Sequence, residues 1–455
     1  MAYKSFNPAT KTLMKEFSTI SDHELNKKLN LAGKMFLYWS GLSISERIKF
    51  IKDIGTCTER RKDEFSRLIS LEMGKPIRQS RAEVEKCILL CRYYEENAEK
   101  WLSPQFTSLP DASASVVFEP TGAIYGIMPW NFPFWQVFRY LIPNLILGNV
   151  AFLKHASNVP QCAETIEKLL LEAGLPEGVF QNLFIDYRQS EHVIAAEITS
   201  GVTLTGSEPA GKLVASLSGK YLKKTVLELG GSDPFIVFED AEIDSCVKTA
   251  VFARFQNAGQ SCIAAKRFIV HEKIYEEFLH HFVLACEKMI VGDPLNEQTE
   301  LGPMATEYLL KDLEFQVSKS IEMGADVLTG GRLMFENSLF YAPTVLSGVK
   351  PDMPVSKEEV FGPVAAVFKF SEDHHALSMA NDTVFGLGAS VWTKNIEKAK
   401  KIAGQIVTGT VAINGIVKSH PALPFGGIRK SGFGRELGEW GLKEFANVKT
   451  INIFR

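Results

Sequence analysis

At 455 residues, of which 45% are hydrophobic and 23% charged, the chain has a globular composition but is too long for one compact core, so we expect two or three domains. Its 50 Lys and Arg residues against 53 Asp and Glu residues leave a net charge of −3. That balance gives no positive field for a nucleic acid or an anionic membrane, and no run of about 18 apolar residues could span a bilayer.

The first predicted region is helical. Apolar residues recur at helical spacing from residue 21 to about residue 100, as at Ile48, Ile51 and Ile54, and we expect these helices to cover one face of a sheet. Between residues 102 and 120 the pattern changes to Ser, Pro and Ala around a short apolar run, which favours an extended ribbon. We interpret residues 104–119 as an assembly element, because an exposed edge strand needs a partner.

From Gly122 onward, short apolar runs alternate with helical segments, which is the pattern of a parallel sheet flanked by helices. The first set comprises predicted strands at 123–128, 150–153, 179–185, 202–205 and 226–229, with a helix at 162–173. The second set comprises strands at 235–238 and 266–270 and helices at 243–255 and 275–289. We place a domain boundary near Gly230–Gly231, between the two sets.

A polar turn at residues 255–262 contains glycine and ends in Cys262, just after a predicted helix. Backbone N–H groups in such a loop can lower the pKa of a thiol, so Cys262 is a candidate nucleophile. The alternative is a small buried core residue. The seven cysteines include no Cys-X-X-Cys pair, so we expect neither a disulfide framework nor a zinc site. Because the cysteines show no disulfide pattern and the N-terminus has no apolar signal segment, we predict a cytoplasmic protein.

Two further polar side chains stand at the ends of predicted strands. Glu228 ends an apolar run before two glycines, where partial burial would raise the pKa of its carboxyl group toward that of a useful general base. Asn131 lies between two prolines, and its amide can donate to an oxyanion. Alternatively, the Glu is merely solvated and the Asn orders a turn. Because open α/β sheets collect ligands at the carboxyl ends of their strands, the coincidence with Cys262 favours a catalytic site.

The sequence contains no complete Gly-X-Gly-X-X-Gly fingerprint for a dinucleotide. Residues 206–213 nearly match a P-loop, but Leu213 replaces the hydroxyl residue that would hold Mg²⁺, which argues against NTP hydrolysis. The same segment follows a predicted strand and opens a helix. The amides near Gly206 and Ser207 are therefore candidates to receive a dinucleotide pyrophosphate.

Five motifs together resemble the aldehyde dehydrogenase superfamily, in the family's order and at its spacings. They are Trp130-Asn131, Glu-Leu-Gly-Gly at 228–231, Gly-Gln-Ser-Cys at 259–262, Glu-Val-Phe-Gly-Pro at 359–363 and Pro-Phe-Gly-Gly at 424–427. The resemblance runs from residue 7 to about residue 449. Within the family, the chain is similar to the shorter NAD(P)-dependent succinate-semialdehyde dehydrogenases, notably at residues 154–157 and 430–436.

This resemblance implies an α/β fold with two domains and a ribbon. The Rossmann-like cofactor domain would comprise residues 1–103 and 120–229, and the second α/β catalytic domain residues 230–424. Residues 104–119 and 446–455 would form an oligomerisation ribbon, and residues 425–445 would return to the cofactor domain. The implied assembly is a homodimer or homotetramer. The implied reaction is NAD(P)+-dependent oxidation of an aldehyde to a carboxylic acid, with no metal.

The family's roles carry over onto matching residues. Cys262 would attack the aldehyde, the Asn131 amide and the Cys262 N–H would hold the oxyanion, and Glu228 would deprotonate the water that hydrolyses the thioester. Cofactor binding is implied for Trp130, Asn131, Lys154, Ser157, Gly206, Ser207, Leu229, Glu359 and Phe361. Because Ser157 stands where NAD-restricted members carry a Glu, we expect NADP+ to work at least comparably to NAD+.

The substrate prediction depends on three residues, Arg139, Gln256 and Ser261. Longer succinate-semialdehyde dehydrogenases carry two arginines suited to a carboxylate, and here the first is Arg139 while the second position is Gln256. We expect succinate semialdehyde as substrate. Alternatively, Arg139 pairs with a structural acid, and the substrate is another aliphatic, aromatic or amino aldehyde. Two more distant alternatives are a catalytically silent family member and a non-redox cysteine hydrolase, for which no histidine motif accompanies Cys262.

Overall fold

The computed structural model describes residues 3–454, in which two large β-sheets are each flanked by helices. The strands are β1 Tyr3–Asn7, β2 Thr12–Phe17, β3 Gln105–Ser108, β4 Ala112–Glu119, β5 Ala123–Met128, β6 Val150–His155, β7 Phe180–Asn182, β8 Thr199–Thr205, β9 Lys224–Glu228, β10 Asp233–Val237, β11 Ala265–His271, β12 Asp326–Thr329, β13 Thr344–Ser347, β14 Val364–Phe370, β15 Gly388–Trp392, β16 Thr410–Ile413, β17 Gly432–Phe433 and β18 Asn447–Phe454. The helices are α1 Asp22–Gly41, α2 Ile44–Arg60, α3 Lys62–Met73, α4 Ile77–Leu102, α5 Trp135–Leu147, α6 Pro160–Glu172, α7 Tyr187–Ala195, α8 Glu208–Lys220, α9 Ile243–Phe255, α10 Tyr275–Glu287, α11 Glu307–Glu322, α12 Pro354–Lys357, α13 Asp373–Asn381, α14 Ile396–Ala403 and α15 Gly438–Lys443.

The N-terminal helical region consists of four helices, α1 to α4. Capping boxes begin the first two, where Ser21 pairs with Glu24 and Ser43 pairs with Glu46. The apolar faces of these helices share one core with the first large sheet. Among the helices within residues 3–454, none has both the length and the apolar character that crossing a bilayer requires.

The first large sheet has the strand order β17-β9-β8-β5-β6-β7 and is parallel except at β17. Crossover helices join its parallel strands, and the chain order reverses between β5 and β8. The loops after β5, β6, β8 and β9 therefore lie along one edge, at the carboxyl ends of the strands. Lys154 and Glu228 lie in the last two residues of β6 and β9, and Asn131 and Gly206 lie in the loops that follow β5 and β8.

The second large sheet has the order β12-β13-β14-β11-β10-β15-β16, with β12 antiparallel at one edge. Cys262 lies between α9 and β11, where the chain enters a central strand of this sheet. Two strand sets interleaved with helices confirm the predicted α/β fold class. The domain boundaries drawn from the sequence stay a prediction.

After the second sheet the chain returns to the first. β17 pairs antiparallel with β9, placing Gly432 opposite Glu228 in the register. Phe425 and Glu436 exchange backbone hydrogen bonds of 2.7 and 2.9 Å, which closes the returning segment on itself. A late part of the chain thus lies directly against the end of β9.

A separate three-stranded sheet, which we call the ribbon, has the order β18-β4-β3. β18 pairs antiparallel with β4 from Asn447↔Glu119 to Phe454↔Ala112. Every residue of β3 and β18 is exposed, including the large apolar side chains of Phe106 (82%), Ile453 (65%) and Phe454 (70%). Such an exposed, apolar sheet is typical of a surface that pairs with another chain.

Candidate active site

A cavity of about 310 Å³ contains the predicted nucleophile. Residues of α4, α5, the loop before β11 and the segment 416–425 line it. Cys262 lies in its wall together with the three predicted substrate residues Arg139, Gln256 and Ser261. Residues that are far apart in the chain therefore meet at one site of a size suited to a small molecule.

The loop before Cys262 has an unusual backbone. Asn257, Ala258 and Gly259 follow one another with φ values of 55°, 53° and 70°, and only the glycine adopts this left-handed region without strain. Hydrogen bonds hold the conformation: the Arg254 guanidinium donates to the carbonyl oxygens of Gly259 at 2.8 Å and Gly362 at 2.6 Å. The sharp turn places Cys262 beside the cavity instead of continuing α9.

Lys266 determines the electrostatics of the nucleophile. Its buried ammonium group donates to the carbonyl oxygens of Ser261 and Cys262, both at 2.9 Å, and lies 3.6 Å from the Glu359 carboxylate. Burial raises the pKa of the Cys262 thiol to about 12, and the charges of Lys266 and Arg139 partly offset that rise. The resting residue is therefore a thiol, which must lose its proton before it attacks.

Asn131 is joined to the nucleophile loop. Its Nδ2 donates to the Gln260 carbonyl at 3.1 Å, and the Asn257 side chain donates to the Asn131 carbonyl at 2.9 Å. The loop that carries Asn131 is fixed from below by Glu83, whose carboxylate accepts the N–H groups of Phe134 and Trp135 at 2.9 and 3.1 Å. The Asn131 amide is thus held on a carbonyl only two residues before Cys262, a position suited to stabilise an oxyanion.

Glu228 is a buried acid whose carboxylate oxygens have no hydrogen-bond partner among residues 3–454. Burial raises its pKa well above the ordinary value; the Arg139 charge opposes that rise, while Glu436 adds to it. The carboxyl group packs closely against Gly426, because a Cβ there would lie 2.7 Å from Oε1 of Glu228, and it does not line the cavity that contains Cys262. An unpaired, desolvated carboxyl group is the state expected for a general base that works on a water.

The Arg139 guanidinium already contacts an acid, a hydroxyl group and an aromatic ring of the protein. Its guanidinium forms an ion pair with Glu436, lies 3.3 Å from the Thr205 hydroxyl and stands 4.8 Å from the centre of the Phe425 ring. It is only 2% exposed, although it lines the cavity. The alternative of a structural acid partner thus has a physical basis, and the substrate role of Arg139 stays a prediction.

Lys154 ends β6 and is the principal cation among the predicted cofactor residues. It is nearly buried, with Nζ 5.9 Å from the centre of the Tyr3 ring and 5.7 Å from that of Tyr187. Burial lowers the pKa of its ammonium group, and within the described part of the chain no carboxylate pairs with it. Ser157, half-buried three residues later, adds no negative charge. A phosphate-bearing ribose would meet a cation here and no acid.

The remaining predicted cofactor residues form two groups. Gly206 and Ser207 precede α8, and a Cβ at Gly206 would meet nothing closer than a 3.5 Å contact, so its backbone is open to a ligand. Leu229, which follows β9, packs over Gly211 of α8.

The second group comprises Glu359, Trp130 and Phe361. The Glu359 carboxylate accepts the Gly231 N–H at 3.1 Å, and Trp130 and Phe361 meet edge to face with ring centres 5.8 Å apart. A Cβ at Gly231 would lie 2.8 Å from the Cys262 carbonyl, so this turn connects the Glu359 group to the nucleophile loop. Glu359 and the Cys262 backbone therefore lie against the same Gly230–Gly231 turn, and the cofactor role of this group stays a prediction.

Three candidate functional residues were not predicted from the sequence. Lys86 and Ser419 line the cavity of Cys262, and Lys266 lies beneath the nucleophile. A signal for Lys86 was present, because Gln79, Glu83 and Lys86 place polar side chains on one face of α4. Ser419 lies in an irregular segment with no periodic pattern, and its partners come from distant parts of the chain.

Comparisons with known proteins agree with this geometry. Residues 1–451 match the family described as "Aldehyde dehydrogenase family". A Synechocystis sp. protein named a probable NADP(+) succinate-semialdehyde dehydrogenase is 47% identical over 451 residues, covering 99% of both chains. A Mycobacterium bovis NADP(+) succinate-semialdehyde dehydrogenase 1 is 42% identical over 454 residues, again with 99% of both covered.

Among solved structures, succinic semialdehyde dehydrogenase from Streptococcus pyogenes in complex with NADP+ superimposes with a TM-score of 0.98. It is 36% identical in sequence, and all of both chains is covered. The resemblance inferred from five short motifs is confirmed over nearly the full length, as is the predicted enzyme class. The chain belongs to the aldehyde dehydrogenase family.

Proposed function

We propose that this enzyme oxidises succinate semialdehyde to succinate with NADP+ as the preferred or equally used acceptor. The observation that carries the proposal is the cavity in which the Cys262 thiol shares its walls with the cationic side chains of Arg139 and Lys86. A nucleophile at one place and positive charge at another suit an aldehyde that ends in a carboxylate. The names of the Synechocystis and Mycobacterium relatives support the same substrate.

The first half-reaction uses Cys262 and Asn131. Once deprotonated, the Cys262 sulfur attacks the aldehyde carbon to form a thiohemiacetal. The Asn131 Nδ2 group, which lies on the Gln260 carbonyl at 3.1 Å, turns to the developing oxyanion together with the Cys262 N–H. Lys266 holds the carbonyl of Ser261, which shares a peptide plane with the Cys262 N–H and so keeps that N–H fixed in direction. When bound, the nicotinamide supplies the two-electron acceptor that allows a thioester to form.

The second half-reaction uses Glu228. Its carboxylate takes a proton from a water, which attacks the thioester carbonyl, and the Cys262 sulfur leaves as the acid is released. The raised pKa of Glu228 suits proton abstraction, because a carboxylate desolvated in this way is a stronger base than an exposed one. Only a glycine at position 426 leaves room for the Glu228 carboxyl group in this position.

We assign the cofactor to the residues at the strand ends of the first large sheet. Lys154 would hydrogen-bond the adenosine ribose, Gly206 and Ser207 would face the pyrophosphate, and Glu359 would bind the nicotinamide ribose. The unpaired charge of Lys154 and the small, neutral Ser157 favour a 2′-phosphate. NAD+ lacks that phosphate but fits the same groups, so we propose use of both, with no metal.

The assembly we propose is a homodimer or homotetramer that forms through the ribbon, whose exposed apolar strands support this role. We also propose a cytoplasmic location. Its support is that all seven cysteines are free thiols, most of them buried, as in proteins from a reducing compartment.

The decisive experiment is an initial-rate panel of succinate semialdehyde, glutarate semialdehyde, propanal and benzaldehyde, each with NAD+ and NADP+. We expect the highest kcat/KM with succinate semialdehyde and NADP+ rates at least comparable to those with NAD+. An NADP+ rate under about 1% of the NAD+ rate would overturn the cofactor proposal. Equal kcat/KM for propanal and succinate semialdehyde would overturn the substrate proposal but leave the aldehyde chemistry intact.

A further inference from the structure

Lys86 is a cation of the active-site cavity whose own contact with the substrate has not been assigned above. It lies on α4 and lines the same cavity as Cys262. Its Nζ donates to the Ser419 hydroxyl at 2.6 Å and stands 4.2 Å from the centre of the Trp135 ring. The ring and the hydroxyl fix the direction of the ammonium group, and neither neutralises its charge.

The two acids just before Lys86 on α4 already have cationic partners, since Glu85 pairs with Lys62 and Glu83 with Lys75. Glu83 forms a buried ion pair with Lys75 and also accepts the backbone N–H groups of Phe134 and Trp135. Among residues 3–454, no carboxylate forms an ion pair with Lys86. A partly buried ammonium group without an anion is costly unless a ligand supplies one.

Ser419 adds a second donor at the same place. Its Oγ accepts from both Lys86 at 2.6 Å and the Trp135 indole N–H at 3.2 Å. Because both neighbours are donors, the hydroxyl proton of Ser419 has to point to a different acceptor. Ser419 lines the cavity, so that acceptor can be a group of the bound substrate.

Arg139 is less free than Lys86. Its guanidinium forms an ion pair with the Glu436 carboxylate, which offsets its positive charge. Resting on the proposed function, we infer that Lys86 is the residue that binds the terminal carboxylate of the substrate and thereby selects carboxylated short-chain aldehydes. The carboxylate would accept from Lys86 and from the Ser419 hydroxyl, which directs the aldehyde end toward Cys262.

The titration of Lys86 is consistent with this role. Burial, together with the charge of Arg139 on α5, lowers the pKa of its ammonium group to about 7. The other groups that act on it are Lys418 on the facing segment and Glu83 and Cys87 on its own helix. A bound carboxylate would raise this pKa, so the selectivity for a carboxylated aldehyde should decline as the pH rises through neutrality.

The test compares succinate semialdehyde with butanal, an uncharged aldehyde of the same chain length, in the wild type and in Lys86→Met, Lys86→Arg and Lys100→Met. Lys100 is an exposed lysine on the same helix that does not line the cavity, so it controls for the loss of one positive charge. We expect Lys86→Met to raise KM for succinate semialdehyde by at least about tenfold and to change KM for butanal by less than about twofold. Lys86→Arg should restore part of the selectivity, and Lys100→Met should keep it.

Two further readouts separate carboxylate binding from a merely structural role. Succinate should slow the alkylation of Cys262 by iodoacetamide in the wild type and much less in Lys86→Met, a measurement that needs no turnover. The butanal to succinate semialdehyde ratio of KM values should fall with rising pH in the wild type and stay flat in Lys86→Met. Equal changes of KM for both aldehydes, or unchanged protection by succinate, would overturn the inference. A wild type that does not prefer succinate semialdehyde over butanal would instead overturn the proposed function.

Discussion

Cys262 is half-buried and Glu228 is buried, and desolvation raises the pKa of each group. Desolvation disfavours the charged form, so it shifts the thiol and the carboxyl group toward their neutral forms. The ionised fraction of each group therefore increases as the pH rises. The lysine below the loop is the main opposing influence on the thiol, because its charge stabilises the thiolate.

The first prediction concerns the reactivity of Cys262 in the free enzyme. Its alkylation rate should keep rising between about pH 7 and pH 10 without a plateau, because the thiolate fraction still grows there. Lys266→Met should slow the reaction at every pH, since the charge that favours the thiolate is gone. Mass spectrometry of the peptide that contains Cys262 gives the alkylation rate directly. Lys273→Met is the control, because Lys273 is an exposed lysine close to Lys266 in the chain. A plateau below pH 8 would contradict the raised pKa.

The second prediction separates the two half-reactions. Glu228→Gln keeps the shape of the side chain but removes the base, so it should release a burst of about one equivalent of reduced cofactor and then slow by about 100-fold or more. Cys262→Ala should give no burst. Stopped-flow absorbance of the reduced cofactor measures both, with the exposed Glu197→Gln as control. Steady turnover by Glu228→Gln at the wild-type rate would show that another group activates the water.

At the scale of elements, the start of α5 depends on one acid from α4. Glu83 accepts two N–H groups at that helix start and pairs with the fully buried Lys75, whose ammonium lies 3.7 Å from the centre of the Phe132 ring. The acid thereby fixes the loop that presents Asn131. Contacts between two helices thus determine the geometry of the oxyanion site.

The third prediction tests this connection. Glu83→Gln leaves the Lys75 charge buried without an anion and should cost about 3–5 kcal/mol of unfolding free energy, with a clear loss of Tm. Its kcat should fall more than its KM rises, because the Asn131 loop shifts. Glu85→Gln is the matched control, since Glu85 lies on the same helix but is exposed and pairs with the surface residue Lys62. An unchanged Tm in Glu83→Gln would show that the pair contributes little.

Local patterns predicted many elements and few of the long-range partners. The strand at 123–128 and the helix at 243–255 have the predicted bounds, because each is a mainly apolar segment with turn or polar residues on both sides. The predicted strand 179–185 shortens to Phe180–Asn182, since its ends bond irregularly to β6. The N-terminal hairpin β1–β2 was not predicted, although it brings Tyr3 to Lys154.

In the candidate site, too, residues in local motifs were predicted from the sequence and long-range contacts were not. Cys262, Glu228 and Asn131 stand in recognisable motifs, so their positions could be read from the sequence. The site also depends on an ion pair between Arg139 and Glu436 and on a hydrogen bond from Lys86 to Ser419. Each contact joins residues hundreds of positions apart in the chain. No local signal specifies such pairs, because they depend on how the two sheets pack.

At the scale of the whole molecule, the ribbon is the feature that extends beyond a single chain. β3 and β18 are its edges, and their backbone groups and apolar side chains face outward. The second half of β18 is especially apolar, with exposed Ile451, Ile453 and Phe454. Association through this sheet would cover edges that otherwise invite nonspecific aggregation.

The fourth prediction follows from that exposure. The double substitution Ile451→Asp and Ile453→Asp should convert the oligomer to smaller species or monomers, because charges on the covered strand oppose burial. Size-exclusion chromatography with light scattering measures the change. Leu222→Asp, at a side chain that is 93% exposed and far from the ribbon in sequence, should leave the mass unchanged. A wild-type protein that is already monomeric would contradict the proposed assembly.

The return of the chain to β9 also bears on how the enzyme is made. The groups that surround the Glu228 carboxyl, including Gly426 and Glu436, are synthesised long after Glu228 itself. A ribosome-bound nascent chain can fold its first sheet early, yet its water-activating acid stays without its final neighbours until the closing segment emerges. Prematurely terminated chains would therefore carry a thiol able to trap aldehydes but no properly enclosed base to release the product.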